Sequence, residues 1–149
     1  MDATEKNTAD ALFVKMVMLA WQNQNNEANK LLDALSDEQL SAQTAPGRNS
    51  GIYLLGHLAA INDNLFMILN LGERLHAELD PIFLDNAEDP TVARPSIDEL
   101  KKYWSQINSR LTEHFKTMEP ADWFSRHMLV SEEDFSKEPH RNKLNVLIN

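Results

Sequence analysis

The chain has 149 residues, 23 of them acidic and 14 basic, and the resulting charge of −9 disfavours nucleic acids as partners because it repels phosphate. It contains no cysteine, so disulfides, thiolate nucleophiles and cysteine-ligated metals are excluded. Leucine and alanine number 34, whereas valine, isoleucine and threonine number 18, which favours a single all-α domain over residues 1–149.

No membrane or export signal is visible in the sequence. No apolar stretch approaches the roughly 20 residues that a membrane-spanning helix needs. Residues 1–6 lack the basic start of a secretory signal. We therefore expect a cytoplasmic protein without a membrane partner.

The first long helix is predicted over residues 8–35, because apolar residues recur there at steps of three and four. Its predicted core stripe consists of Leu12, Phe13, Met16, Leu19, Ala20, Leu31, Ala34 and Leu35. Between Ala20 and Leu31 the stripe passes through Asn23 and Glu27. Polar residues at such positions either line a cavity or mark a hydrated gap in the packing.

Serine residues mark the expected starts of the next two helices. Ser36 with Gln39 has the pattern of a capping box and predicts a short helix directly after it. Ser50 is the expected N-cap of a second long helix over residues 51–71, which Gly72 would end. Its predicted core stripe consists of Leu54, Leu55, Leu58, Ile61, Leu65, Ile68 and Leu69.

The third long helix is predicted to run from residue 97 to about residue 118. Ser96 and Glu99 form another capping-box pattern at its start. Its seam consists of Ile97, Leu100, Trp104, Ile107, Leu111, Phe115 and Met118. Residues 73–95, which carry three prolines, form a connection long enough to cross the bundle and start this helix parallel to the second.

A fourth helix begins near the end of the sequence, after an irregular segment over residues 121–138. The expected anchors of that segment are Trp123, Phe124 and Phe135. Leu144, Leu147 and Ile148 lie on one side of the fourth helix, which the end of the sequence cuts short. Three long helices usually need a fourth to close their core. The missing part comes from a partner chain, or the bundle is short at one end, or the sequence is a truncated form of a longer one.

Among the five histidines, His57 stands out because it lies in an apolar helix. The smallest separation between histidines is 13 residues, so no local H-x-x-x-H metal motif exists. His57 is either a histidine at the edge of the core or a metal ligand. If the first two long helices are antiparallel, Glu27 lies level with His57, where it would be a ligand, a partner of a ligand or a general base. His76, His114 and His127 are expected on the solvated surface.

Three segments resemble the DinB-like (YfiT-like) metalloenzyme superfamily. Residues 46–60 (PGRNSGIYLLGHLAA) resemble the start of its second helix, and residues 71–75 (LGERL) the segment that follows. Phe135 and residues 139–149 (PHRNKLNVLIN) resemble the segment that leads into its fourth helix. The resemblance covers nearly the whole chain in helix order and loop placement.

This resemblance implies an up-down-down-up four-helix bundle, often dimeric, with zinc or nickel held by three histidines. The first ligand stands at the position of His57, and the other two form an H-x-x-x-H pair on the fourth helix. Members with known activity include thiol-cofactor-dependent transferases and isomerases. The present sequence contains no H-x-x-x-H pair, so its metal site is incomplete.

Our leading hypothesis is a DinB-like metal-dependent enzyme that forms a homodimer, and the resemblance implies the thiol-cofactor-dependent transferase class. His57 would be its metal ligand, with Glu27 or Asn23 near the site in contact with a cofactor or a small thiol substrate. The alternative is a non-catalytic interaction or dimerisation protein whose open fourth-helix groove is filled by a partner.

Overall fold

The fold is built from helices in the computed structural model, which describes residues 3–149 except for the side chains of residues 3, 4, 6 and 7. The long helices are α1 (Ala3–Ala34), α3 (Gly51–Ile68) and α5 (Ile97–Thr117). The short helices are α2 (Asp37–Ser41), α4 (Asp80–Phe83), α6 (Pro120–Trp123), α7 (Glu132–Lys137) and α8 (Lys143–Val146). Residues 3–149 contain no strand, which confirms the predicted all-α class.

Serine side chains begin α2, α3 and α5, as predicted. Ser36 and Ser96 each form a capping box with the residue three positions later. The Ser50 hydroxyl oxygen accepts a hydrogen bond from the Tyr53 N–H, with an oxygen–nitrogen distance of 3.2 Å. These caps satisfy N–H groups that the first turn of a helix leaves without a partner.

The end of α3 differs from the prediction, because the residue that ends the helix is Asn70 and not Gly72. Asn70 adopts a φ angle of 55°. The Leu71 N–H donates to the Phe66 carbonyl over 2.7 Å, and the Asn70 N–H donates to the Met67 carbonyl over 3.1 Å. This pair of bonds is a Schellman motif, in which asparagine can replace glycine at the left-handed position.

Contacts between side chains establish the directions of the long helices. Trp21 packs edge-on against Phe115 with ring centroids 5.0 Å apart, and Asn29 accepts a 2.7 Å hydrogen bond from the indole of Trp104. Residue numbers rise along α1 as they fall along α5, so the two helices are antiparallel. The corresponding contacts between α3 and α5 join Asn62 to Asn108 and Phe66 to His114. There the numbers rise together, so α3 and α5 are parallel.

Helix α5 supplies the centre of the core, as its seam predicted. Its buried residues are Leu100, Trp104, Ile107, Leu111 and Phe115, while Ile97 and Met118 are half-buried. The anchors expected from the segment before α8 also face inward: Trp123 is fully buried, and Phe124 and Phe135 are half-buried. None of the helices in residues 3–149 combines the length and the apolar character that a membrane span requires.

The predicted core stripe of α1 is wrong. Its members are exposed, apart from the half-buried Leu35: Leu12, Phe13, Met16, Leu19, Ala20, Leu31 and Ala34. The residues of α1 that pack on the core are Val14, Val17, Met18, Trp21, Ala28 and Leu32. Both sets repeat at steps of three and four, because α1 carries apolar residues on two of its faces. Periodicity alone therefore could not identify the face that packs on α5.

The carboxylate of Asp63 holds the turn after α3 in place. Asp63 is fully buried, with 0% of its surface exposed. It accepts hydrogen bonds from Arg74 Nε at 3.0 Å and from the backbone N–H groups of Leu75 at 2.9 Å and His76 at 3.1 Å. The two terminal nitrogens of Arg74 each donate to Asp80 over 2.6 Å. One buried acid thus ties α3 to α4 through a bidentate arginine.

We expect Asp63→Asn to destabilise the protein by about 3 kcal/mol, because it leaves Arg74 without one charged partner and turns an amide NH₂ toward N–H donors. The free energy of unfolding in urea measures this loss. Asp85→Asn removes an exposed carboxylate and serves as the control, with a change within about 0.5 kcal/mol. Equal stabilities of the two variants would contradict the role of Asp63.

Candidate functional site

His57 is half-buried on α3 and its ring is oriented by the backbone of α4. Its Nδ1 lies 2.7 Å from the carbonyl oxygen of Phe83. A carbonyl can only accept, so the proton of this hydrogen bond is on Nδ1. In the neutral imidazole the free lone pair therefore belongs to Nε2, which is the arrangement commonly found in metal-binding histidines.

Gly56 allows Phe83 to come this close to α3. A Cβ atom at residue 56 would lie 2.3 Å from Phe83 Cε1 and 2.5 Å from its Cδ1, so no other residue fits without displacing the ring. The Tyr53 ring also packs on Phe83, with centroids 5.7 Å apart, and is stacked at 6.2 Å from the His57 ring. The packing of Phe83 thus places its carbonyl beside His57.

Glu88 ties the connection after α4 to the start of α3. One of its oxygens accepts a 2.7 Å hydrogen bond from the Ser50 N–H, and the other accepts bonds from the Ser50 hydroxyl and from Arg94 Nη1. Burial acts to raise the pKa of Glu88. The hydrogen bonds from Ser50 and the charge of Arg94 outweigh burial, and the pKa of Glu88 is lowered from its ordinary value.

The solvent-facing side of α3 around His57 is apolar, which corrects part of its predicted core stripe. Leu54, Leu58 and Ile61 are exposed and not buried, with Leu58 at 43% and Ile61 at 42%. We call these three residues the apolar face of α3. Over Gly51–Ile68 the sequence has no lysine or arginine, and its one acidic residue is the buried Asp63. The exposed side of α3 therefore carries no fixed charge.

Asn23 and Glu27 are both exposed on α1. Glu27 forms an ion pair with Lys30, with Oε1 and Nζ 2.7 Å apart. Within residues 3–149 no hydrogen bond or ion pair joins either side chain to His57. Their roles at a metal or cofactor site stay predictions.

A polar cleft lies between α1 and α5, with a volume of about 380 Å³. Polar residues of α1 between Ala20 and Leu31 do line a cavity, but they are residues other than Asn23 and Glu27. The cleft is lined by Trp21, Gln22, Asn25, Asn26, Asn29, Leu32 and Asp33 of α1, and by Lys101, Trp104, Ser105, Asn108, Ser109 and Thr112 of α5. The sequence pattern that could have revealed the cleft is the spacing of Trp21, Asn25, Ala28 and Leu32 at steps of three and four. These residues lie on the face of α1 that packs on the core.

The model of the DinB superfamily matches residues 20–148, which include α3, α5, His57 and the polar cleft. The chain belongs to the DinB superfamily. A comparison with curated proteins found no match. The resemblance in the segments around His57 is thereby confirmed at the level of the family.

The described part of this DinB-superfamily chain does not form a metal site on its own. No group of three or more histidine, cysteine, aspartate or glutamate residues within it is placed to hold a metal ion. Of the predicted residues, His57 offers one nitrogen, whereas protein zinc sites use three or four protein ligands. His57 alone therefore does not fit a resident metal.

The other histidines of the DinB-superfamily chain depart from their expected solvated positions. His76, His114 and His127 are half-buried. His76 stacks on Tyr103 with ring centroids 3.9 Å apart. Burial and the positive charges of Arg141 and Arg126 lower the pKa of His127. Arg126 directly precedes His127 in the sequence, but the contacts with Tyr103 and Arg141 involve residues that are distant along the chain and could not be read from local sequence.

We expect Glu88→Gln to make stability less dependent on pH below about pH 5. The ordinary unfolded pKa of glutamate is about 4.3, and that of folded Glu88 is lower. Ionised Glu88 therefore stabilises the fold fully above the unfolded pKa. This stabilisation is lost as the pH falls through the pKa of folded Glu88. Urea unfolding should show a deficit for the variant at neutral pH that shrinks at about pH 3.

The control for this pH series is Glu113→Gln, which removes an exposed carboxylate of α5. Its small difference from the wild type should stay similar at both pH values. A Glu88→Gln deficit of the same size at both pH values would show that ionised Glu88 does not stabilise the fold.

Proposed function

We propose that this DinB-superfamily protein functions by association through the apolar face of α3, and that its partner is a second copy of the same chain. The observation that supports this is the absence of any fixed charge on the exposed side of α3. A solvent-facing helix side normally carries charged residues, and a helix that is apolar all round is normally covered. Leu54, Leu58 and Ile61 together are apolar surface of the kind that marks an interaction site.

Charge favours a second copy over an unrelated basic protein. Two chains with a formal charge of −9 repel each other over most of their surface. The uncharged side of α3 is a place where two copies can approach without bringing like charges together. An isologous contact of this face with itself would bury the same leucine and isoleucine residues on both sides. A basic partner would gain more from the acidic surface elsewhere.

We also propose that α8 occupies the fourth-helix position of an up-down-down-up bundle. Leu144 is buried, and α8 packs on α6. Leu147 and Ile148, just after α8, line a cavity of about 470 Å³ together with Phe13 and Met16 of α1. These contacts support a fourth helix that lies along the exposed apolar side of α1.

Replacing a residue of the apolar face with a charged one should break the dimer. We expect the wild type to have twice its monomer mass in light scattering coupled to size exclusion. Ile61→Lys should weaken association by about 30-fold or more, or ~2 kcal/mol, because a buried lysine would be unpaired in the contact. Circular dichroism verifies that the variant is folded.

Met67→Lys is the matched control, since Met67 is exposed to a similar fraction, 48%, but points to another side of α3. This variant should stay dimeric. A monomeric wild type, or a dimer that Ile61→Lys leaves intact, would overturn the proposed association.

A second candidate function is a metal-dependent enzyme of the thiol-cofactor-dependent transferase type, with zinc or nickel. It is favoured by the hydrogen bond from His57 Nδ1 to the Phe83 carbonyl, which leaves Nε2 available as a ligand. The further ligands would have to come from outside residues 3–149, since none there completes the site. Glu27 and Asn23 stay predicted neighbours of this site.

For the enzyme candidate we expect zinc or nickel to copurify with the wild type and to be lost in His57→Ala. Elemental analysis by mass spectrometry measures the metal content. His140→Ala, at an exposed histidine, is the control and should retain the metal. Equal metal content in the wild type and His57→Ala, including none in either, would count against His57 as a ligand and leave the dimer test unaffected.

A further inference from the structure

The polar cleft has the lining of a small-molecule site. Its volume of about 380 Å³ falls in the range of ligand pockets, roughly 300–1,000 Å³. Side-chain amides and hydroxyls of α1 and α5 provide most of its walls. The indoles of Trp21 and Trp104 add flat apolar surfaces. Such a combination can hold a ligand by stacking and direct it by hydrogen bonds.

Two amide nitrogens in this cleft lack a hydrogen-bond partner. They are Nδ2 of Asn25 and Nδ2 of Asn108, and both are buried. The orientation of Asn108 is set by its own oxygen, which accepts a 2.7 Å bond from Asn62 Nδ2. A third such atom among the described residues, Trp123 Nε1, lies in the core away from the cleft. An unpaired buried amide is costly. Neither nitrogen is exposed to solvent, so its side chain must shift toward the cleft to donate to an entering oxygen.

The charges of the cleft narrow the class of ligand. Asp33 and Lys101 carry opposite charges, and neither forms an ion pair within the described part of the chain. Asp33 and the overall charge of −9 disfavour an anion, whereas Lys101 disfavours a cation. An apolar ligand would strip water from the amides and hydroxyls without replacing their hydrogen bonds. A neutral molecule rich in hydroxyl groups meets all of these conditions.

We propose that the polar cleft binds a small uncharged polyhydroxylated molecule of the sugar or polyol class. Its hydroxyl oxygens accept from Asn25 and Asn108, and its hydroxyl hydrogens donate to amide and serine oxygens on the walls. The C–H side of the molecule packs on the half-buried indole of Trp21. This site lies between α1 and α5, whereas the association proposed above uses the apolar face of α3, so the two proposals are independent.

Tryptophan fluorescence tests the proposal directly, because two of the three tryptophans line the cleft and Trp123 is fully buried. The full chain is titrated separately with glucose, maltose, inositol and glycerol in the millimolar range. We expect a saturable change in emission with at least one of these probes. Succinate is the charged comparison and should give none.

Asn25→Leu should weaken the binding by about tenfold, since it removes one of the unpaired donors. It should also raise the urea midpoint, because the buried unsatisfied amide is gone; a purely structural amide would lower it. Gln24→Leu, at an exposed amide of the same helix outside the cleft, is the matched control and should leave binding unchanged. Asn25→Ala repeats the test with a smaller side chain.

The proposal is overturned by either of two results. One is that none of the four neutral probes gives a saturable change, or that succinate binds more tightly than they do. The other is that Asn25→Leu and Asn25→Ala bind as the wild type does while both remain folded by circular dichroism.

Discussion

The buried carboxylate of Asp63 is the constraint on which the arrangement after α3 depends. A charged group with no exposed surface is tolerated only when donors surround it, and Asp63 has three: one from Arg74 and two from the backbone of the following turn. The guanidinium of Arg74 carries the connection onward to Asp80 at the start of α4. Charged hydrogen bonds therefore hold the path of the chain from α3 to α4, in addition to apolar packing.

The parts of the fold that could be predicted from sequence are those that local chemistry determines. A serine at the first turn satisfies free N–H groups whatever the rest of the protein does, so Ser36, Ser50 and Ser96 begin helices where expected. Helix α5 has one apolar face and one polar face, so the side that packs in the core could be identified from the sequence. Helix α1 has apolar residues on two faces, and which one packs depends on α5, a partner far away in sequence.

The same reasoning explains what was and was not predicted at the candidate site. The position of His57 in an apolar helix was visible in sequence, but its ring orientation depends on the Phe83 carbonyl, and Phe83 is 26 positions further along the chain. The polar residues of α1 between Ala20 and Leu31 suggested a cavity. However, the core face was assumed to pass through Met16, whereas the face that packs passes through Val17 and Trp21. The assumed face selected Asn23 and Glu27, whereas Asn25 and Asn29 line the cleft.

Helix α4 is only four residues long, and both of its ends are held by polar contacts. Its first residue, Asp80, is bound by Arg74, and the carbonyl of its last residue, Phe83, is bound by His57. Through these contacts α4 connects the acid buried in α3 with the half-buried imidazole of the same helix. The Arg74 guanidinium and the carbonyl that orients His57 thus lie at opposite ends of the same four-residue helix. The turn after α3 and the half-buried imidazole of His57 therefore both depend on the position of α4.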